Sequence, residues 1–265
     1  MKRIAVLFLG LGVLLLAPKV ALADLASDYQ NYLTSVGTYN SLFGDYVTAR
    51  ANYLASGSID SQDKAREATL KMLQARDVLL VSYLTALNSR IDSQRGISDG
   101  DKNSLKGQIS NEINWYSLHN NKLPSAGNLD DLVSDSDEAK VRFNDFTTLL
   151  VYRSLVNLGV AQNSSIRGDI NSQIDNVKSK ISEIKSNGDK DTSTIERSLV
   201  DVENKIARSQ DKDNASLNIV NSIRPNSFNT LSDFQESQQD LTDSQAYLRE
   251  ATRGLLQIIT QIKTN

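Results

Sequence analysis

The sequence predicts an all-α fold, an elongated antiparallel helical bundle or coiled coil of about six long helices arranged as three hairpins. The 265 residues include only 13 glycines and 3 prolines, and these are the residues on which the turns of sheet proteins depend. Apolar residues recur at intervals of three and four along most of the chain, as they do on one face of a helix. Residues 139–185 keep this spacing without an intervening proline, which predicts a central helix roughly 70 Å long.

The first hairpin is predicted at residues 24–95, with helices at about 24–55 and 60–94. Gly57, which lies between two serines, makes the turn, and so short a connection places the two helices antiparallel. A seven-residue repeat in the first helix is typical of left-handed coiled-coil packing. Its members are Tyr32, Tyr39, Tyr46 and Tyr53. A tyrosine seam suits a half-exposed groove, because each ring can be buried while its hydroxyl stays near water.

The second hairpin, residues 98–187, pairs a helix at about 101–120 with the central helix. Pro124 and Gly127 predict a loop between them, with a short helical turn possible near 129–133. The acidic residues 135–138 would then form the first turn of the central helix, where negative charge favours the positive end of the helix dipole.

The third hairpin, residues 192–264, has helices at about 193–223 and 230–263. Residues 193–196 read Ser-Thr-Ile-Glu, which predicts a capping box for the earlier helix. The last helix has a regular seam of Leu231, Phe234, Gln238, Leu241, Gln245, Leu248, Thr252, Leu255, Ile259 and Ile262. Its polar members Gln238, Gln245 and Thr252 are the predicted interaction seam, because polar residues in such a stripe fix helix register and partner choice.

The residues before 24 read as a secretory signal peptide. Lys2 and Arg3 precede an apolar run at 4–17, which is short for a membrane span, and Ala21 and Ala23 fit the small-x-small cleavage rule. We therefore expect a secreted, periplasmic or cell-surface protein of bacterial type. An uncleaved anchor is the alternative. No later segment is apolar for 18 residues, so no membrane span is expected after cleavage.

Composition divides the rest of the chain into two parts. Residues 24–160 contain most of the aromatic side chains and predict a thicker helical bundle. Residues 161–265 are rich in serine, asparagine and glutamine and predict a slimmer, coiled-coil-like part, with the central helix shared between the two.

Charge and cysteine content exclude several functions. Without the three bases of the leader the chain has 26 bases and 32 acids, a net charge of −6, which does not suit nucleic-acid binding. The sequence has no cysteine, so disulfides, thiolate nucleophiles and cysteine-based zinc sites are excluded. With a single histidine, catalytic triads and two-histidine metal sites are hard to build. We expect no catalytic residue, no cofactor and no resident metal.

Trp115, Tyr116 and His119 could cluster at one end of the third helix and form an aromatic notch for a ligand. The alternative is a helix-end histidine that packs on an aromatic ring. The paired aspartates at 99/101, 130/131 with 135/137, 189/191 and 211/213 resemble the start of calcium loops, but those from Asp99 and Asp189 lack the required glycine and glutamate. We interpret the acidic turns as caps and solvated turns, and we expect Glu112 and Glu250 to be exposed.

Two functions follow as expectations. The first is a non-enzymatic structural spacer, scaffold or protein–protein interaction module of the cell envelope or surface, with a protein partner or self-association through the coiled-coil seams. The second is a periplasmic or extracellular module that holds a small ligand or peptide between helices of the aromatic-rich N-terminal half.

Overall fold

The computed structural model describes residues 22–187 and 191–264, and over these residues the protein is all-α, as predicted, with no strand. Nearly all of the predicted signal peptide lies outside the described residues. The α-helices are α1 (Leu22–Ser56), α2 (Ile59–Ser93), α3 (Asp99–Lys122), α4 (Leu129–Arg142), α5 (Thr148–Ser186), α6 (Ser193–Ser222) and α7 (Thr230–Thr264). None of the described helices is both long and apolar enough to cross a bilayer.

The helix that contains α4 and α5 starts earlier than predicted. Asn128 caps α4 by accepting a hydrogen bond from the backbone N–H of Asp131, whose carboxylate accepts in return from that of Asn128. The prediction that residues 135–138 form the first turn was therefore wrong. Asp135 lies inside α4 and is buried.

The predicted capping box at residues 193–196 was also wrong. Thr192 is the N-cap of α6 and makes no side-chain capping hydrogen bond. Glu196 bonds to side chains instead. Its carboxylate accepts a 2.6 Å hydrogen bond from the Thr192 hydroxyl and lies 2.6 Å from the Lys185 ammonium. The same glutamate that signals a capping box thus ties the start of α6 to the end of α5.

A π-helical turn, Phe143–Thr147, joins α4 to α5 without breaking the rod. Such a turn inserts one extra residue into the helix and rotates the side chains that follow it. The inserted turn places Thr147 in the interior, where it is 1% exposed.

The described residues divide into two compact units. One runs to Gln94 and resumes over Ser98–Ser154, and the other consists of Arg95–Ile97 and the residues from Leu155 onward. The N-terminal part of α5 therefore belongs to the first unit and the remainder to the second.

In the first unit α1 lies antiparallel to α2. The Ser89 hydroxyl donates to Asp28 at 2.5 Å near one end, and Ser56 donates to Ser61 at 2.7 Å near the other. Between these ends the rings of Tyr32 and Tyr83 meet edge-on with centroids 5.6 Å apart. Tyr32 is buried, and the other tyrosines of the α1 seam are half-buried. Aromatic side chains of α1 cover a small core. The core comprises Met72, Leu73, Leu123, Ala126 and Leu132, with Tyr39, Phe43 and Tyr46 packed against it.

The second unit is a three-helix bundle of α5, α6 and α7. Each helix contributes four buried residues to one core. They are Ile170, Ile174, Val177 and Ile181 of α5, Ile195, Leu199, Val202 and Ile206 of α6, and Leu248, Ala251, Leu255 and Ile258 of α7. Burying each of the larger side chains stabilises the fold by about 1.5–3 kcal/mol.

Candidate functional site

Trp115, Tyr116 and His119 are brought together, as the sequence predicted. The Trp115 ring stacks on that of His119 with centroids 5.1 Å apart and meets that of Tyr116 edge-on at 4.9 Å. Tyr116 is 0% exposed and His119 is 4% exposed, so these rings fill the interior of the first unit. Whether the partly exposed Trp115 binds a ligand stays a prediction.

His119 forms a buried ion pair with Asp77, which was not predicted from the sequence. Its Nδ1 lies 2.5 Å from Oδ2 of Asp77, and its Nε2 lies 3.0 Å from the backbone oxygen of Asp135. Because a carbonyl oxygen can only accept, Nε2 carries a proton. Burial opposes the charged ring, but the hydrogen bond and the charge of Asp77 outweigh it and raise the pKa of His119 above its usual value. The two ring nitrogens thus link α3 to the carboxylate of Asp77 on α2 and to the backbone of α4.

His119, Asp135 and Glu138 have potential metal-ligating atoms within 4.8 Å of one another. The Lys122 ammonium lies 2.9 Å from each of the two carboxylates, which is where a cation would lie. His119 offers no free lone pair, since Nε2 donates to a carbonyl and Nδ1 faces Asp77. The donor set thus fits an ammonium group and not a metal ion.

Glu112 is buried, which contradicts the expectation that it is exposed. It is 5% exposed and forms a bidentate ion pair with Arg142, whose Nε lies 3.1 Å from Oε2. Thr147 donates to the same carboxylate at 2.9 Å, so the Tyr116 hydroxyl, 2.9 Å away, donates to Thr147. Glu112 thus links α3 to Arg142 at the end of α4 and to Thr147 of the π-turn. Glu250 is exposed, as expected.

A second buried polar layer crosses the three-helix bundle, and it includes part of the acidic turn that we interpreted as solvated. Asp213 is 1% exposed and accepts from Arg167 at 2.5 Å and from Asn163 at 2.8 Å. Arg167 also donates to Ser209, which bonds to Ser244 at 2.8 Å. The layer therefore joins α5, α6 and α7 at one level of the bundle.

The buried seam of α7 agrees with the predicted seam at Leu241, Leu248 and Leu255. At the positions between them, the buried residue is the one that precedes the predicted residue. The structure buries Ser237, Leu241, Ser244, Leu248, Ala251, Leu255 and Ile258. Gln238 and Gln245 are only partly buried, and Thr252 is exposed with its hydroxyl bonded to the backbone of its own helix. The three residues of the predicted interaction seam thus flank the bundle core.

This flank borders an open groove between α5 and α7, of about 440 Å³, which we call the α5/α7 groove. The partly buried Ile166 lies at its floor beside the buried Leu248, and Gln245 and Thr252 line it. Among the described residues that line it, Arg249 and Arg253 carry the charges.

The groove between α6 and α7 differs in charge, although it is larger at about 590 Å³. Its lining includes Arg197, Glu250 and the ion pair of Lys205 with Asp201, which are 2.7 Å apart. Arg253 lines both grooves. That groove therefore contains acids beside its bases, whereas the described charged residues that line the α5/α7 groove are both bases. Within the described residues, neither Arg249 nor Arg253 has an acidic partner within ion-pair distance.

Comparison of the chain with models of known protein families, with curated proteins and with solved structures finds no match.

Proposed function

We propose that the chain is an exported helical-bundle protein of the cell envelope or surface that acts as a scaffold or protein–protein interaction module, and that it binds its partner at the α5/α7 groove. The observation that carries the proposal is the register of α7. Gln245 and Thr252 border an apolar groove whose two arginines lack acidic partners among the described residues. Such a surface combines an apolar centre with a charged rim, as protein interfaces do.

The buried polar layer supports this proposal because it gives the groove a defined shape. Asp213 and Arg167 can form their ion pair only in one axial register of α5 and α6. The Ser209–Ser244 hydrogen bond sets the register of α7 against α6. Buried polar contacts of this kind can specify helix register. A groove that is already formed binds with less loss of conformational freedom.

Export is the other half of the proposal and rests on the sequence of residues 1–23. N-terminal sequencing of protein recovered from outside the cytoplasm is expected to begin at Asp24. A mature chain that begins at Met1 and remains in the cytoplasm would contradict it.

Site-specific photo-crosslinking in the native host tests the interaction. A photoreactive phenylalanine at Thr252 is expected to give a protein adduct, and the same group at Gln257, which lines the α6/α7 groove, is not. Arg249→Glu is expected to weaken the Thr252 adduct. No adduct at Thr252, or equal adducts at both positions, would overturn the proposal.

The alternative, a small-ligand module in the aromatic-rich half, has narrower support in the partial exposure of Trp115. A bound ligand there would change the fluorescence of the chain's single tryptophan. Unchanged fluorescence across a broad panel of peptides and small molecules would count against it.

A further inference from the structure

The chemistry of the α5/α7 groove defines what would fill it. Arg249 and Arg253 are one helical turn apart, so their guanidinium groups lie roughly 6 Å apart along the helix axis. Between α7 and Ile166 the surface is largely apolar. The complementary partner is a helix that carries small apolar side chains and carboxylates on one face, with no base among them.

The chain itself has such a face on α4. Asp130, Val133, Asp137 and Val141 follow one another at spacings of three and four, which places them on one side of the helix. All four are exposed, with Val133 at 55% and Val141 at 57%. We call them the α4 stripe. The buried residues of α4 are Leu132, Asp135 and Ala139, so the helix packs through its other side.

The charges of the α4 stripe are also largely uncompensated. Asp137 lies 4.0 Å from the exposed Lys140, at the limit of an ion pair, and such a contact contributes little. The two aspartates are seven residues apart, or roughly 10 Å, a span that two flexible arginine side chains can match.

We propose that the partner at the α5/α7 groove is a second copy of this chain, which inserts its α4 stripe. This inference rests on the proposed function, since it names the occupant of the same groove. Val133 and Val141 of the second copy pack on Ile166, and its aspartates face Arg249 and Arg253. Because the two surfaces differ, the contact is heterologous, and each copy retains one groove and one stripe for further copies. A single helix in a groove makes a small interface, so the association is weak and sensitive to salt.

Sedimentation of the chain 24–265 over a concentration series tests this inference. We expect the average mass to rise with protein concentration at low salt and to fall back as salt is added. Arg249→Glu and Asp137→Arg are each expected to weaken association at least tenfold, because each opposes like charges. Asp211→Arg, which changes an exposed acid outside both surfaces, is the matched control and should leave association unchanged.

An equimolar mixture of the two charge-reversed variants is the decisive sample. The Arg249→Glu groove matches the Asp137→Arg stripe, and the unmodified stripe of the first variant matches the unmodified groove of the second. Association is therefore expected to return in the mixture. Circular dichroism of each variant should equal that of the unmodified chain, since both positions are exposed.

A chain that is monomeric at all concentrations, or a mixture that does not regain association, overturns this inference. The crosslinking experiment at Thr252 separates it from the proposed function. An adduct with the mass of two chains supports both proposals. An adduct with a different protein supports the proposed function and overturns self-association. A monomeric chain without any adduct overturns both proposals.

Discussion

Removal of Asp213 is the perturbation whose cost follows most directly from the structure. Asp213→Ala leaves the guanidinium of Arg167, whose side chain is 12% exposed, without its carboxylate. Breaking a buried ion pair in this way costs about 3–5 kcal/mol, because the remaining charge stays desolvated. The Asn163 amide and the Ser209–Ser244 hydroxyls lose part of the same network.

Replacement of both partners has a different expected result. Arg167→Met with Asp213→Leu removes the charges together and substitutes apolar volume, which is neutral or stabilising by about 1–4 kcal/mol in comparable cases. The two single changes and the double change form a cycle, and a large coupling free energy between the two positions is expected.

Hydrogen exchange of the α6 and α7 amides is the suitable assay, because it measures the stability of the second unit by itself. Asp213→Ala is expected to lower protection by a factor on the order of 10²–10³, which corresponds to about 3–4 kcal/mol. Asp201→Ala is the control, since it breaks an exposed pair with Lys205 on one helix face and should cost about 0.3–0.5 kcal/mol. If Asp213→Ala costs no more than this control, the polar layer does not hold the bundle in register.

Three further changes have expected outcomes. Because the pKa of His119 is raised, its contribution to stability is complete below its unfolded value of about 6.5 and is lost as the pH rises through the folded pKa. Urea unfolding followed by Trp115 fluorescence should therefore show a free energy of unfolding that falls above that pH. His119→Gln should make this free energy less dependent on pH. A free energy of unfolding that rises over the same range would contradict the ion pair. Gly168→Ala should raise the free energy of unfolding by about 0.5–1 kcal/mol, since nothing lies within 4 Å of the added Cβ in mid-helix, and a loss would be the contrary result. Gly96→Ala should lower it by more than about 1 kcal/mol, because φ is +86° and the Cβ would lie 2.4 Å from the Ala161 oxygen; an unchanged unfolding curve would refute this.

The helices could be predicted from sequence because two strong signals agree. Apolar spacing marks each rod, and serine or glycine turns separate the rods, so α1, α2 and α7 begin and end within a few residues of the prediction. The start of α4 was missed because the Asn128–Asp131 capping box is short and lies in an acidic stretch that offers several possible caps. The π-turn at Phe143–Thr147 does not interrupt the apolar spacing enough to be seen.

The seam of α7 could not be resolved from sequence, because serine and glutamine are both polar. The choice of Ser244 over Gln245 is made by tertiary packing, in which Asn163 and Ser209 need a small hydroxyl opposite them. Gln245 is too long for that position.

The buried acids were missed although a signal existed. Asp77 follows Leu73 by four residues and precedes Leu84 by seven, on the apolar stripe of α2. Likewise the buried stripe of α6 continues from Ile206 through Ser209 to Asp213 without a change of spacing. An acid in phase with an apolar stripe is a candidate for burial with a partner, but the partner is remote in sequence and only the fold reveals it.

The register of α7 decides which residues border the groove, and thiol labelling of adjacent positions tests it most directly. The sequence has no cysteine, so Ala251→Cys and Thr252→Cys each introduce one thiol. With Ala251 at 0% exposure and Thr252 exposed, a maleimide is expected to modify Thr252→Cys at nearly the rate of a free thiol and to leave Ala251→Cys protected. Rapid modification of Ala251→Cys with protection of Thr252→Cys would place the groove on another side of α7 and contradict the account.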